Sequence, residues 1–411
     1  MTAHGAAALA RPLTLPCGAT LPNRLAKPAL SEQLADAANR PTEALPRLYE
    51  RWAAGGAGLF ITGNVMVDAR ALGEPRDVVV EDDRDLLMLS RWAAAARSRG
   101  AHAWMQINHP GRQVMRGLST DPVAPSAVPM KTGGGLFATP RALTDAEITD
   151  LVGRYARTAA VAKAAGFSGV QLHGAHGYLI SQFLSPLTNR RDDAWGGDPA
   201  RRMRFLLAIT RATREAVGPE FPIGVKLNSA DFQRGGFDEA ESMAVVQVLE
   251  AEGIDLLEVS GGTYEAAAMV GNLSEQRAST QAREAYFLSY AERVRGLVKM
   301  PLMLTGGFRT LNGMAEALES GAVDVIGLGR PLALEPDLPA RLLAGEASAS
   351  SARPQRVGIS MLDGANEIFW YTHQLHRMAR GQAPDAALSP WWSLGLAAWE
   401  HGWSTFQRRR G

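Results

Sequence analysis

Short apolar runs alternate along the chain with longer stretches in which apolar residues recur at helical spacing. The runs cover residues 24–30, 58–62, 103–107, 169–173, 223–227, 256–259, 302–305 and 323–328. Each has the length of a buried strand. Between the third and fourth runs, Leu151, Tyr155, Ala159 and Ala162 share one helical face. Thr144 precedes Glu147 by three residues, the pattern of a capping box, so a helix is expected to start there. Gly166, Gly253 and Gly321 follow helical stretches and suit left-handed helix ends. Eight strands alternating with helices predict an α/β fold with a parallel sheet, and eight is the number that closes a (β/α)8 TIM barrel. An open doubly wound sheet is the competing architecture. No GxGxxG follows an early strand, which counts against it.

Two regions break the alternation. Residues 114–141 are rich in Gly, Pro, Ser and Thr and read as a long loop over the carboxyl face, where such loops usually cover a site. Beyond residue 345 the composition changes. Ala and Ser dominate residues 346–352, which read as a linker, and five of the nine tryptophans follow: Trp370, Trp391, Trp392, Trp399 and Trp403. The expected organisation is a barrel over residues 1–345, then a linker and a helical, Trp-rich extension over residues 346–411.

Composition narrows the function. Hydrophobic residues make up 46% and charged residues 21% of the 411 residues, ordinary for a globular protein. Lys+Arg 43 against Asp+Glu 42 leaves a net charge of +1 and no field to gather nucleic acid. The single cysteine, Cys17, excludes an internal disulfide framework, a cysteine-ligated iron–sulfur cluster and a zinc site built from four cysteines. No apolar run reaches the roughly 18 residues of a spanning helix, and the amino end lacks the pattern of a signal peptide. A cytoplasmic location is expected.

In a barrel the residues at the carboxyl ends of the strands converge on the active face. Here they are Lys27-Pro28-Ala29-Leu30, Thr62-Gly63-Asn64, Gln106-Ile107-Asn108-His109, the segment from His173 to Tyr178, Lys226-Leu227-Asn228, Ser260-Gly261-Gly262, Thr305-Gly306-Gly307 and Gly327-Leu328-Gly329-Arg330. The last three are Gly-rich turns leading into helices, which bare backbone N–H groups to a phosphate. Arg330 adds a charge-assisted donor. A single Gly pair after a strand would be ordinary turn chemistry. Three in succession point to phosphate.

Only five residues are lysine, and two of these, Lys27 and Lys226, fall within apolar runs. A buried ammonium needs an anionic or electron-rich partner. A flavin, whose N1–C2=O edge becomes negative on reduction, would satisfy Lys226; a structural ion pair is the alternative for either lysine. His173 and His176 flank a strand-to-helix turn and as neutral donors could grip a substrate oxygen. Tyr178, two residues on, could deliver a proton without ionising at neutral pH. The His-x-x-His spacing lacks a third ligand nearby, so no metal site is expected. A second pair, His373 and His376, reads as a surface or interface feature of the tail helix.

The run GFSGVQLHGAHGYLISQFLSPLTNRRDDAWGGDPARRMRF (residues 166–205) resembles the signature of the old yellow enzyme family of FMN-dependent oxidoreductases. NRLAKPAL, ITGNVMVD, WMQINHPGRQ, PRALTDAEI, VKLNSADF, LTGGF and GLGRPLALEP extend the resemblance over residues 13–343. It implies a barrel holding FMN, with hydride passing from NAD(P)H to flavin N5 and then to the β-carbon of an electron-poor alkene. Backbone from Lys27, Pro28, Ala29 and Leu30, with Gly63 and Asn64, would line the flavin. Gln106 would bond its pyrimidine edge, and Lys226 would face N1–C2=O. Gly306, Gly307, Gly329 and Arg330 would hold the phosphate. His173 and His176 would bind the substrate carbonyl, and Tyr178 would protonate the α-carbon.

Departures from the family pattern accompany the match. Leu30 stands where Thr or Cys often donates to the flavin C4=O, which implies a lower potential. Lys226 stands where many relatives have Arg, and Glu32 near where some place a substrate-contacting Tyr. Longer relatives that reduce dienoyl thioesters carry an iron–sulfur cluster, and the lack of cysteine beyond Cys17 sets this chain apart from them. Quinones, nitro compounds, nitrate esters and small amines are alternative substrates for the same site. A catalytic Cys and a basic face, as in uridine-reducing FMN barrels, are not suggested. Trp391 through Trp403 with Arg408, Arg409 and Arg410 could instead anchor a scaffold protein at a membrane or partner. The competing expectation packs this tail on the barrel or within a homo-oligomer.

Overall fold

In the computed structural model, which describes residues 2–119, 121–131, 135–261 and 287–396, all eight apolar runs are strands. They are β1 (Leu25–Lys27), β2 (Leu59–Met66), β3 (His102–Asn108), β4 (Gly169–Gly174), β5 (Ile223–Asn228), β6 (Leu256–Ser260), β7 (Leu302–Thr305) and β8 (Val325–Gly327). Each pairs in parallel with its sequence neighbours, and β8 pairs with β1 to close the barrel. A short strand, Val78–Val79, adds in parallel to the far end of β2. The register of β2 against β3 shifts between Ile61 and Asn64.

Helices cover the outside. The one at Asp145–Ala164 begins at Thr144 with a capping box, the Thr144 hydroxyl and the Glu147 carboxylate each accepting the other residue's backbone N–H. Its buried face carries Leu151, Tyr155, Ala159 and Ala162, the residues that the periodicity selects. Inside the barrel, near the amino ends of the strands, Trp104 fills the space. A Cβ on Gly169 would lie 2.5 Å from Trp104 Nε1, and one on Gly224 2.8 Å from its Cζ3. Both glycines therefore make room for the indole. An antiparallel hairpin, Leu13–Thr14 with Thr20–Leu21, plugs that end, with Leu15 and Leu21 packed among Ala26, Leu59, Trp104, Leu256 and Met303. A helix at Thr2–Ala10, which no sequence signal picked out, packs on the helix Leu311–Glu319.

The region beyond residue 345 packs on the barrel as far as it is described. The stretch read as a linker is bound to the barrel: Leu311 N–H donates to Ser348 O at 2.8 Å and Ser350 N–H to Arg309 O at 2.8 Å. The helix Ser360–Ala379 packs against Ala44–Ala53 and Arg330–Leu334, so the boundary at residue 345 does not detach it. Of its histidines, His373 is buried within the tail and His376 is half-buried where the helix meets the barrel. His373 is buried against Ser393 Oγ at 2.8 Å, and His376 Nε2 lies 2.9 Å from Glu32 O. Burying the face that carries Trp370, Tyr371 and Leu375 brings them in. Trp391 and Trp392 are exposed, while Gly262, Trp399, Trp403 and the arginines 408–410 lie outside the described residues. Among the described residues no helix is long and apolar enough to cross a membrane.

Candidate active site

A cavity of about 290 Å³ opens at the carboxyl ends of the strands, where barrels carry their chemistry. Residues from all the strand ends face it: Pro28, Ala29, Leu30, Asn64, Gln106, His173, His176, Tyr178, Lys226, Ser260, Thr305, Gly306, Gly307, Gly327, Gly329 and Arg330 among them, the last three from the end of β8 and the turn that follows it. The helix Ser360–Ala379 closes one side with Glu367, Ile368, Tyr371, Thr372 and Leu375. The long loop expected over this face contributes none of its described residues to the wall. It forms its own small pair, Val123–Ala124 with Arg141–Ala142.

The histidines are linked in a chain. His173 Nδ1 lies 3.2 Å from Asn64 Oδ1, His173 Nε2 3.1 Å from His176 Nδ1, and His176 Nε2 2.7 Å from Ser260 Oγ. With Asn64 presenting its oxygen, the direction of the chain is set. Ser260 donates to His176, His176 to His173, and His173 to Asn64. His176 holds a left-handed backbone, φ 60°. It is tied on both sides, its N–H donating to Asn228 Oδ1 at 3.1 Å and its carbonyl accepting from Gln113 Nε2 at 3.1 Å. Burial holds both imidazoles well below the ordinary histidine range. His176 and the Lys226 ammonium push further on His173, and Lys226 on His176. Both rings are therefore neutral at pH 7. The Tyr178 ring packs against His173.

Beneath them runs a buried polar network that sequence reasoning missed. Glu258 on β6 is fully buried and pairs with Lys226 Nζ at 2.9 Å. Thr305 Oγ1 donates to Glu258 Oε1 at 2.7 Å and Gln171 Nε2 to Glu258 Oε2 at 2.7 Å. Gln106 Nε2 in turn donates to Gln171 Oε1 at 2.7 Å. The available signal was an acidic residue, Glu258, inside an apolar strand. Like the lysines, it needed a buried partner.

Two residues expected to line the flavin with backbone, Lys27 and Gly63, are not on the wall of this cavity. Lys27 is fully buried behind the cavity wall, its Nζ donating to Glu32 Oε1 at 2.9 Å, Tyr49 Oη at 2.9 Å and Ile61 O at 2.7 Å. This is the structural ion pair. Gly63 also faces away, its N–H donating to Glu32 Oε1 at 3.1 Å. β2 continues past the expected end to Met66, and its register shift turns Asn64 toward the cavity instead. Glu32, bound to Lys27, Tyr49 and Gly63, is likewise not a cavity residue.

The donor set suits FMN. A neutral amide and an ammonium, Gln106 and Lys226, stand on the floor, and the guanidinium-bearing residues Arg309, Arg330 and Arg353 stand with the Gly-rich turns at the other end. Gly327 leaves no room for a side chain there, since a Cβ would meet Thr305 Oγ1 at 2.1 Å. Arg330 also pairs with Glu367 of the tail helix. Among the described residues no group of three metal-ligating side chains occurs.

Barrel, flavin-sized cavity and paired histidines together define a flavin oxidoreductase site. The model of the NADH:flavin oxidoreductase / NADH oxidase family matches residues 8–348, and the chain belongs to this family, that of the old yellow enzymes. It is 40% identical over 353 residues to the NADH-dependent flavin oxidoreductase iliE of Hypocrea jecorina (strain QM6a), covering 80% of this chain and 87% of that one. It is 37% identical over 406 residues to the NADH-dependent flavin oxidoreductase iccE of Talaromyces variabilis, covering 90% and 98%. An old yellow enzyme homologue from Zymomonas mobilis has a similar structure, with a TM-score of 0.72 and 27% identity over 84% of this chain and 94% of that chain. The protein is accordingly an NAD(P)H-dependent flavin oxidoreductase with FMN as cofactor.

Proposed function

We propose that this oxidoreductase is an ene-reductase that saturates small alkenes activated by a conjugated carbonyl. The observation that carries the reading is the convergence of two neutral, buried imidazoles and a tyrosine on one wall of the cavity. FMN, when bound, supplies the hydride that reaches the alkene β-carbon. Pro28, Ala29 and Leu30 would line it with backbone, Asn64 and Gln106 would meet its polar edge, and Lys226 would face N1–C2=O. Gly306, Gly307, Gly329 and Arg330 would hold its phosphate.

His173 and His176 bind the substrate carbonyl oxygen. Breaking the contact between the rings frees the His176 Nδ1–H for that oxygen, and moving the His173 proton from Nδ1 to Nε2, with Asn64 turned to present its amide N–H to Nδ1, supplies a second donor aimed at the charge that develops there. Their depressed basicity matters, because an imidazolium at this wall would pass on its proton instead of only polarising the carbonyl. Tyr178 gives its phenolic proton to the α-carbon.

The test combines phenol binding with turnover. Phenols mimic the enolate oxygen and report the histidine donors through a charge-transfer band with the flavin. The variant His173→Ala/His176→Ala should keep FMN and lose that band along with reduction of conjugated enones. Undiminished phenol binding in the double variant would overturn the assignment. Turnover of quinones or nitro compounds with none of enones would overturn the substrate class alone.

A further inference from the structure

We infer that Glu258 is a positioning residue that lowers the reduction potential of the flavin by pairing with Lys226, and that it fixes the polarity of the amides leading to Gln106. The inference rests on the reading that Lys226 meets the N1–C2=O edge of FMN.

Three observations carry it. First, the contact is built into the barrel. Lys226 and Glu258 are directly opposed in the register of β5 and β6, and both side chains are buried. Second, the carboxylate is held by three donors: the ammonium and Thr305 Oγ1 on Oε1, and Gln171 Nε2 on Oε2. Third, the cavity end of this network is an amide. An ionised carboxylate only accepts, so Gln171 must turn its nitrogen toward Glu258 and its oxygen toward Gln106. Gln106 then spends an N–H on Gln171, and its carbonyl oxygen remains to serve the cavity. That suits an N–H donor on the pyrimidine ring of a flavin.

The electrostatic consequence follows from the pair. An ammonium beside N1–C2=O favours the reduced, negatively charged ring. A carboxylate held 2.9 Å from the same ammonium, in a site with little water to screen it, offsets much of that pull. The flavin is therefore held at a lower potential than Lys226 alone would set. Leu30, which offers no side-chain donor at the C4=O edge, acts in the same direction.

The experiment uses the FMN-loaded protein and two readouts besides turnover: the midpoint potential against a reference dye, and sulfite affinity, which follows the electron deficiency of the flavin. Glu258→Gln keeps the shape and removes the charge. It should raise the potential and tighten sulfite binding about ten- to a hundredfold. Lys226→Met should do the opposite, and in its background Glu258→Gln should have a much smaller effect. If Lys226→Met shifts both readouts and Glu258→Gln does not, Glu258 is a structural residue only and the inference fails. If neither variant shifts them, Lys226 is not at the flavin edge and the reading beneath it fails. An undiminished Glu258→Gln effect in the Lys226→Met background would mean that Glu258 does not act through Lys226, and would also overturn the proposal. Glu258→Asp, which withdraws the anion from Nζ, gives a smaller shift of the same sign if Glu258→Gln does not retain FMN; no shift there refutes it.

Discussion

The rings of His173 and Tyr178 lie 4.7 Å apart between centroids and are tilted by 56°. A carbonyl held by His173 therefore has the phenol beside it, which separates two chemical demands. On the proposed reading, reduction of the flavin by NAD(P)H needs no proton from Tyr178, whereas saturation of an alkene would. Tyr178→Phe should lower alkene reduction by about 10² to 10⁴-fold, the usual range for a general acid. The reductive half-reaction should stay within a few-fold, with stopped-flow absorbance as the measurement. Equal alkene rates in both proteins would make Tyr178 a wall of the pocket and nothing more.

Lys27 and Glu32 form a buried pair beneath the flavin-lining loop, with Lys27 Nζ 4.5 Å from the Trp52 ring centre as well. Removing one member strands the other, so Lys27→Met or Glu32→Leu should cost about 3–5 kcal/mol each. The double variant Lys27→Met/Glu32→Leu should be less destabilised than the sum of its parts. Urea midpoints for the two single variants and the double variant decide this. Additive losses would show that the two charges do not support one another.

Acid should weaken the fold through its buried histidines. Burial lowers His109 to about 4, against about 6.5 in an unfolded chain. The unfolded state then binds the proton first, so the stability contribution is intact above pH 6.5 and is lost as pH falls from there toward 4. For His109 the loss by pH 5 should be on the order of 2 kcal/mol. His173 and His176 act with the same sign. Denaturant unfolding at pH 7 and pH 5 measures the total, and His109→Asn should flatten the dependence. An unchanged midpoint across that range would contradict it.

Gly327→Ala tests the crowding at the end of β8. The new methyl would lie 2.1 Å from Thr305 Oγ1 and 2.9 Å from Met303 Cε, so Thr305 must leave Glu258. Overpacking of this kind should cost about 1–3 kcal/mol and weaken FMN retention. Adding Thr305→Ala removes the hydroxyl and should restore part of the stability. Thermal unfolding with and without FMN compares the two, and full FMN retention in Gly327→Ala would show that the strand end has slack.

Strands were legible as continuous apolar runs because both their faces are buried, helices because their buried faces repeat every 3.6 residues, and the capping box at Thr144 is local in sequence. His173, His176, Tyr178 and Lys226 were legible because a strand end fixes where its last residues face. Gly63 was misplaced because the irregular register of β2 decides which residue turns inward, and that depends on β3, its neighbour; the side chain of Lys27 is set by partners on other segments, Tyr49 and Ile61. Glu258, Gln171 and Ser260 take their roles from cross-strand partners between 32 and 87 residues away, which no local pattern reports. The tail helix gave a clear amphipathic signal, but nothing in it says which surface it covers.

That helix has a consequence for biosynthesis. The barrel is closed by β8, which ends at Gly327, but Tyr371, Thr372 and Leu375 of the cavity wall lie more than 40 residues further along the chain. Chains emerge from the ribosome amino end first, and their early parts can fold as they appear. The barrel can thus be complete while its pocket is still open on one side. A nascent chain in that state would bind flavin weakly, so cofactor capture becomes a late checkpoint that only chains made past residue 375 can pass.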